Sequence, residues 1–316
     1  MRPSPPKPTP PGQQAKASIP KPASPGAKPT TKTPWDDSTQ ALARNTLQTG
    51  SQQLGVALSE AQTDALIGYL GLLHKWSKVY NLTAVRDPLE MVTLHLLDSL
   101  AVVPALLRHL DTPHNPATER DAPTGRSTST STSTSTSTST SPSPSPSPWS
   151  GSATGAAAVP TSESPAAASA NTPTQPMRLL DVGSGAGLPG VVIAIACPHI
   201  QVTCLDAVAK KAAFVQQVAA SLGLTNLRGL HQRIEHMDTT HAVVCSRAFA
   251  SLADFVRGSA KALAPGGVWL ALKGKAPTEE LSALGPEVDV FHVEQLKVPG
   301  LDAQRCLVWM RPTPPR

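Results

Sequence analysis

Between Arg178 and Gly190 the chain reads Arg-Leu-Leu-Asp-Val-Gly-Ser-Gly-Ala-Gly-Leu-Pro-Gly. A short apolar run ends in an acid and breaks into glycines at alternate positions. An apolar helical segment, Val191 to Cys197, follows. This pattern predicts a buried strand, a tight turn and a helix N-terminus. Glycine suits a turn whose backbone must approach a ligand closely or adopt positive φ. The helix beyond it turns its free N–H groups toward the same spot. About 20 residues on, a second apolar run, Val202 to Leu205, ends in Asp206, where an acid takes ribose hydroxyls in folds of this kind. The stretch therefore points to a nucleoside-containing cofactor. A plain strand–turn–helix with glycines for packing is the competing reading.

The dinucleotide fingerprint G-x-G-x-x-G fails, because its third glycine position is Leu188. The pattern present is D-x-G-x-G-x-G, carried by Asp181, Gly183, Gly185 and Gly187. It resembles the S-adenosylmethionine (SAM) motif of class I methyltransferases. SAM has no pyrophosphate and needs no phosphate cradle.

Two long stretches cannot build a core. Residues 1 to 34 are Pro- and Lys-rich, with Ile19 the one large apolar side chain after Met1. Such a segment buries too little surface to offset its ordering entropy. It holds Arg2, Lys7, Lys16, Lys21, Lys28 and Lys32 and no acid, so the formal net charge of +5 belongs to this tail and the remainder stands at −1. The tail either helps hold an acidic partner such as RNA or acts as a solubilising extension. From Asp111 to Gln175 the chain is low in complexity, with Ser-Thr repeats from Ser127 to Thr140 and Ser-Pro repeats from Ser141 to Pro148. It reads as a disordered surface insertion, in which a lone Trp149 changes nothing.

No apolar h-region lies near the N-terminus, and no apolar run is expected to reach membrane-spanning length. Cys197, Cys204, Cys245 and Cys306 lack C-x-x-C spacing and have apolar neighbours. They read as small core residues in a reducing cytoplasm, with no disulfide frame and no metal site.

Ser38 to Gly55 is expected to be helical, capped by Asp36, Asp37 or Ser38. Ser59 to Gln62 is a capping box. The helix it opens places Leu66, Leu70, Leu73, Trp76 and Tyr80 on a core stripe, and Asn81-Leu82-Thr83 ends it. Asp87-Pro88 reads as N-cap and N1 of another helix, on which Met91, His95, Asp98 and Val102 share a face. His95 and Asp98 form either a polar pair beside a site or a satisfied structural pair. After Arg178, strands alternate with helices: a helix over Val208 to Leu222, buried strands over Asn226 to Leu230 and Ala242 to Cys245, a helix over Ser251 to Leu263 closed by Pro265-Gly266-Gly267, and a strand over Val268 to Leu272. Val288 to Leu296 and Cys306 to Met310 alternate as a terminal antiparallel pair. The expected fold is α/β, with a mostly parallel sheet covered by helices on both faces. Four segments follow: a tail over 1–37, a helical part over 38–110, the insertion over 111–177 and a cofactor-binding unit over 178–316.

The chain resembles one family in detail, RsmG or GidB, the 16S ribosomal RNA guanine-N7 methyltransferases. The likeness rests on Leu73 to Thr83 with Val85 to Pro88, His95 to Leu100, Asp181 to Gly190, and Ser246 to Leu252 with Ala271 to Gly274. The glycine motif is widespread, whereas W-x-x-x-Y-N-L-T and S-R-A-F-A-S-L are far more particular. The likeness spans about Leu58 to Leu107 and Arg178 to Trp309, with the tail and the insertion as departures. It implies a Rossmann-like, seven-stranded class I SAM-dependent methyltransferase with a helical N-terminal part, acting on 16S rRNA of the small ribosomal subunit in the cytoplasm. SAM contacts carried over by motif are Gly183, Gly185, Gly187 and Leu188 in the first turn, Ile234 and Glu235 after the third strand, and Arg247 after the fourth. Asp206 takes the ribose, and Arg247 is the candidate catalytic residue, facing the cofactor carboxylate or an RNA phosphate. His74, Lys75, Lys78 and Arg86 either touch RNA phosphates or form the wet face of a helix.

The implied chemistry agrees with what is missing. Guanine N7 has a lone pair and no proton, so its attack on a sulfonium methyl needs no general base; positioning and exclusion of water suffice. The Asn/Asp-Pro-Pro-aromatic motif of amino-group methylation is replaced by Cys245-Ser246-Arg247-Ala248. Cys245 is expected to be a core residue, not the nucleophile that methylation of a pyrimidine carbon requires. Two other readings remain: a small-molecule methyltransferase, suited to the nearly neutral core, and a non-catalytic RNA-binding protein on a methyltransferase scaffold.

Overall fold

The computed structural model describes residues 34–111, 176–247, 249 and 251–314. The expectations for the tail and the insertion, Trp149 included, lie outside the described residues. Helix α1 (Asp37–Gln53) is capped by Asp36, whose carboxylate accepts from Thr39 N. Helix α2 (Glu60–Tyr80) opens on the expected capping box, Ser59 and Gln62 each accepting from the other's backbone. It ends at Asn81, a non-glycine residue in the left-handed region at φ 49°. Leu66, Leu70 and Leu73 are fully buried, but the stripe frays toward the C-terminus, where Tyr80 is exposed.

Asp87 caps α3 (Pro88–Met91), with its carboxylate accepting from Leu89 N. A π-helical stretch (Val92–Leu97) and α4 (Asp98–Leu100) continue the run, and α5 (Val103–Asp111) completes it. Met91, His95, Asp98 and Val102 are all buried. Contrary to the expectation that no apolar run reaches spanning length, Pro88–Asp111 is long and apolar enough by length and composition to cross a membrane. Most of it is buried inside the protein, so its apolar character serves packing.

Seven strands form one sheet: β1 (Arg178–Val182), β2 (Gln201–Asp206), β3 (Leu227–His231), β4 (His241–Arg247), β5 (Leu263–Lys273), β6 (Val288–Leu296) and β7 (Arg305–Pro312). Their order is β3-β2-β1-β4-β5-β7-β6. The β1–β2, β1–β4, β2–β3 and β4–β5 pairs are parallel, and β7 runs antiparallel between β5 and β6. Strand order reverses between β1 and β4, which opens a crevice at their C-terminal ends.

Alternate side chains of each strand face opposite sides. Leu179, Cys204, Val243, Cys245, Leu270 and Trp309 join a core with α1 to α5, α6 (Gly190–Ala196) and α7 (Ala209–Leu222). Leu180, Val182, Val244, Trp269 and Met310 pack on the other side against α8 (Leu252–Ser259) and the neighbourhood of α9 (Thr278–Ser282). The N-terminal helices thus share a single core with one face of the sheet.

Several expectations need correction. Strand β3 is a sheet edge with alternating burial, so it is half buried, not buried. The helix expected to reach Leu263 ends at Ser259, followed by a 3-10 turn (Ala260–Ala262). Pro265-Gly266-Gly267 lies inside β5, not before it. There the register with β4 shifts between His241 and Val243, and Gly266 takes φ 71°. A bulge supplied by a left-handed glycine absorbs what reads in sequence as a turn. Val208 precedes α7 as its cap, and α9 has no counterpart in the sequence reading.

Candidate active site

The glycine stretch forms the turn from β1 into α6. Gly183, Gly185 and Gly187 have φ of 67°, 60° and 87°, the left-handed region that side chains resist. The turn folds back on β2: Gly183 N and Ser184 N both donate to Leu205 O, at 2.8 and 3.1 Å. Leu188 N donates to Ser184 O at 3.0 Å, and Leu188 is buried. Asp181, fully buried, accepts from Gly190 N at 2.9 Å through Oδ2. Burial pushes its carboxyl up to about 7.

Asp206 does more than end β2. Its Oδ2 accepts from Gly185 N at 2.9 Å and its Oδ1 from Val208 N at 2.8 Å, with Lys211 Nζ 3.7 Å away. One carboxylate thereby ties the glycine turn to the start of α7. Each oxygen keeps a lone pair for a ligand hydroxyl.

These residues fit SAM. A Cβ built on Gly183 or Gly185 meets nothing within 4 Å, so open space lies over the turn. Ser184 Oγ and Asp181 Oδ1 are buried without a nitrogen or oxygen partner among the described residues. Open volume and an anchored acid meet at one sheet edge.

Ile234 and Glu235 lie in a 3-10 turn (Ile234–His236) after β3, Ile234 buried and Glu235 exposed. With Phe249, Asp254, Arg257 and Lys261 they line a cavity of about 510 Å³ between this turn and α8. The structure therefore gathers Gly183, Gly185, Gly187, Leu188 and Asp206 in one cluster, and Gln232 N, donating to Asp206 O at 3.3 Å, brings the turn that carries Ile234 and Glu235 next to it.

Arg247 is the last residue of β4, not beyond it. Its Nη1 donates to Asp98 Oδ2 at 3.2 Å and to Leu94 O at 3.4 Å. The other Asp98 oxygen accepts from Arg305 Nε at 2.7 Å. A buried carboxylate thus joins two guanidiniums from β4 and β7, each about a quarter exposed. His95 does not pair with Asp98; its Nε2 lies 2.8 Å from Thr83 Oγ1. Burial, aided by the Arg247 charge, pushes His95 down to about 4, so the ring is neutral at pH 7.

Sequence reasoning missed Tyr69 and Arg305. Tyr69 is fully buried on α2 and donates its hydroxyl to Ala186 O in the glycine turn at 2.8 Å. The available signal was a tyrosine inside a leucine-rich helix, whose hydroxyl must find a partner when buried. Arg305 had one too, a cation directly before an apolar strand. All four cysteines are buried and free. Cys245 is fully buried and burial raises its thiol pKa well above the ordinary value, so it supplies no thiolate. Among the described residues no group of three or more His, Cys, Asp or Glu could hold a metal.

Sheet order, the glycine turn and its anchored acid together define a class I SAM-dependent methyltransferase. The family model described as "rRNA small subunit methyltransferase G" (GidB) matches residues 62–111 and 164–308, and the chain belongs to this family. The ribosomal RNA small subunit methyltransferase G of Polaromonas naphthalenivorans is 48% identical over 275 residues, covering 87% of this chain and 98% of that protein. The protein of the same name from Acidovorax sp. strain JS42 is 49% identical over 266 residues, covering 84% and 94%. Among solved structures, TrmN from Thermus thermophilus aligns at a TM-score of 0.36 with 22% identity over 44% of each chain. A SAM-dependent methyltransferase from Geobacter sulfurreducens, in complex with S-adenosyl-L-homocysteine, aligns at 0.35 with 15% identity over 43% of this chain and 85% of that one.

Proposed function

We propose that this protein transfers the methyl group of SAM to N7 of a guanosine in 16S rRNA of the small ribosomal subunit, in the cytoplasm. The observation that carries the reading is a SAM-type glycine turn, in a chain of the GidB family, with the neighbouring Cys245 thiol held inert by burial. Bound SAM supplies an electrophilic methyl on a sulfonium. Gly183, Gly185, Gly187 and Leu188 hold its amino-acid and ribose portions, Asp206 accepts the ribose hydroxyls, and Ile234 and Glu235 meet the adenine, whose amino group suits the Glu235 carboxylate. The remaining work is orientation. N7 needs no base, and neither Cys245, inert in the core, nor His95, a buried neutral ring beside Thr83, is called on as one. Arg247, held by Asp98 at the crevice between β1 and β4, aligns the SAM carboxylate or a substrate phosphate through a planar charged fork.

Mapping N7-methylguanosine in rRNA from cells with and without the gene tests the reaction, and an unchanged pattern overturns it. Single-turnover methylation of small subunits from the deletion strain tests Arg247. Losing a charge-assisted hydrogen bond is worth about 1.5 to 3 kcal/mol. Arg247→Ala is therefore expected to slow transfer roughly 10- to 150-fold at saturating SAM. A rate within twofold of wild type removes Arg247 from the site.

A further inference from the structure

The Ala-Leu-Lys-Gly run from Ala271 to Gly274 ends β5 on a lysine. Leu272 stands in register with Arg247 of β4. Lys273 therefore lies one residue further along, at the edge of the sheet where the glycine turn also sits. Side chains alternate across a sheet. Arg247 reaches the face of the N-terminal helices, where Asp98 holds it, and Lys273 reaches the face of α8 and α9.

A lysine is costly to bury without a counter-ion. The Lys273 side chain is only 12% exposed, and Glu280 of α9 supplies the opposite charge. Lys273 Nζ donates to Glu280 Oε2 at 2.8 Å and to Oε1 at 3.0 Å. The pair does more than neutralise itself. Glu280 Oε2 also accepts from Leu252 N, the first amide of α8, at 2.8 Å. Lys273 Nζ lies 3.5 Å from Phe249 O, a further acceptor. One ion pair thus grips the chain at Phe249 and Leu252, just past Arg247.

The first amides of a helix have no partner within it. Ser251 Oγ takes the amide of Asp254 at 3.1 Å, and Glu280 takes that of Leu252. Together they fix where α8 begins, and so the course of the chain out of β4. What is fixed there faces a ligand. Phe249 packs on Phe255 with ring centroids 5.5 Å apart, and it lines the same cavity as Ile234 and Glu235. The exit of β4 is braced from both faces of the sheet, by Asp98 on one and by Lys273 and Glu280 on the other. A group that must meet a ligand in one orientation needs such support from outside its own segment.

We propose that Lys273 and Glu280 are positioning residues of the cofactor site: their ion pair clamps Phe249 and Leu252 so that Phe249 forms a wall of the SAM pocket. The inference rests on the reading that Ile234 and Glu235 meet the adenine. Titration calorimetry with SAM on the full-length protein tests it, at a temperature where circular dichroism shows each variant folded. Lys273→Met and Glu280→Ala are each expected to raise the Kd and the KM for SAM roughly tenfold. With small subunits from the deletion strain, kcat at saturating SAM is expected to stay within about threefold. Glu280→Gln keeps an oxygen that Leu252 N and Lys273 can both reach, and is expected to bind SAM within about twofold of wild type. Trp269→Phe deletes the Ser259–Trp269 bond of the same face and reports general loosening; it is expected to leave SAM binding unchanged. A Kd within about twofold of wild type for both Lys273→Met and Glu280→Ala overturns the proposal, as does an equal rise in Trp269→Phe. Glu280 is 31% exposed, so Glu280→Ala carries the test if Lys273→Met fails to fold. Glu235→Ala separates the clamp from the reading beneath it. Weaker SAM binding in Glu235→Ala but not in the clamp variants leaves the adenine assignment standing and overturns the clamp. The reverse pattern supports the clamp and faults the adenine assignment.

Discussion

The two faces of the sheet are held by different kinds of polar contact. On the face covered by α1 to α7, the bonds join residues far apart in sequence: Tyr69 to Ala186 across 117 residues, Gln62 to Ile195 across 133, Asp98 to Arg247 across 149 and to Arg305 across 207. On the face covered by α8 and α9, several are short-range: Trp269 Nε1 to Ser259 Oγ across 10 residues, Lys273 to Glu280 across 7, Leu252 N to Glu280 across 28. Two of these four bonds end at the glycine turn or at Arg247. The N-terminal helices are therefore a wall of the site, and the α8 face contributes a cavity. A contact that positions a cofactor loop must reach outside that loop for its support.

The largest expected effect comes from removing the shared anchor of the first face. Asp98→Ala leaves two partly buried guanidiniums without their counter-ion, at a cost of about 3 to 5 kcal/mol. The low end applies, since each arginine keeps contact with water. Denaturant unfolding checks this. A loss below about 1 kcal/mol would make the cluster ornamental and the contrast between faces superficial.

A second measurement separates acid sensitivity from the site. His241 begins β4, at the edge away from the glycine turn, and its ring is buried. Burial pushes it down to about 4. A histidine depressed in the fold gives stability that is present above its unfolded value near 6.5 and lost as pH falls through 4. His241→Leu is expected to flatten this acid limb, by about 2 kcal/mol at pH 5, and to leave methyl transfer at pH 7.5 unchanged. Parallel limbs for variant and wild type would place the acid-sensitive group elsewhere.

The smallest effect is the most discriminating. Tyr69→Phe and Trp269→Phe each delete one buried hydrogen bond, on opposite faces, for about 1 kcal/mol in melting, to which Trp269→Phe adds the cost of a smaller ring in the core. Only Tyr69→Phe should weaken SAM binding, roughly fivefold, because only that bond ends in the glycine turn. Equal SAM affinities, by calorimetry, would erase the functional difference between the faces.

What the sequence made legible follows the same division. The glycine turn and Asp206 could be read because their relation is local: an acid, alternate glycines and a second acid one strand later. The caps at Asp36, Ser59 and Asp87 were readable for that reason as well. The partners of Asp98 were not, because its periodicity shows only which helix face is buried, and Arg247 and Arg305 come from other strands. Pro265-Gly266-Gly267 misled because a glycine pair signals a turn unless a neighbouring strand absorbs it as a bulge.

The Asp98–Arg305 bond also sets a schedule. At about 5 to 20 residues per second, the 207 residues between the partners take roughly 10 to 40 seconds to synthesise. Arg305 sits on β7, the last strand made, yet β7 slots in between β5 and β6. A nascent chain with its glycine turn already synthesised still lacks one of the two cations that steady Asp98. The ion cluster beside the crevice therefore closes only after β7 has been made.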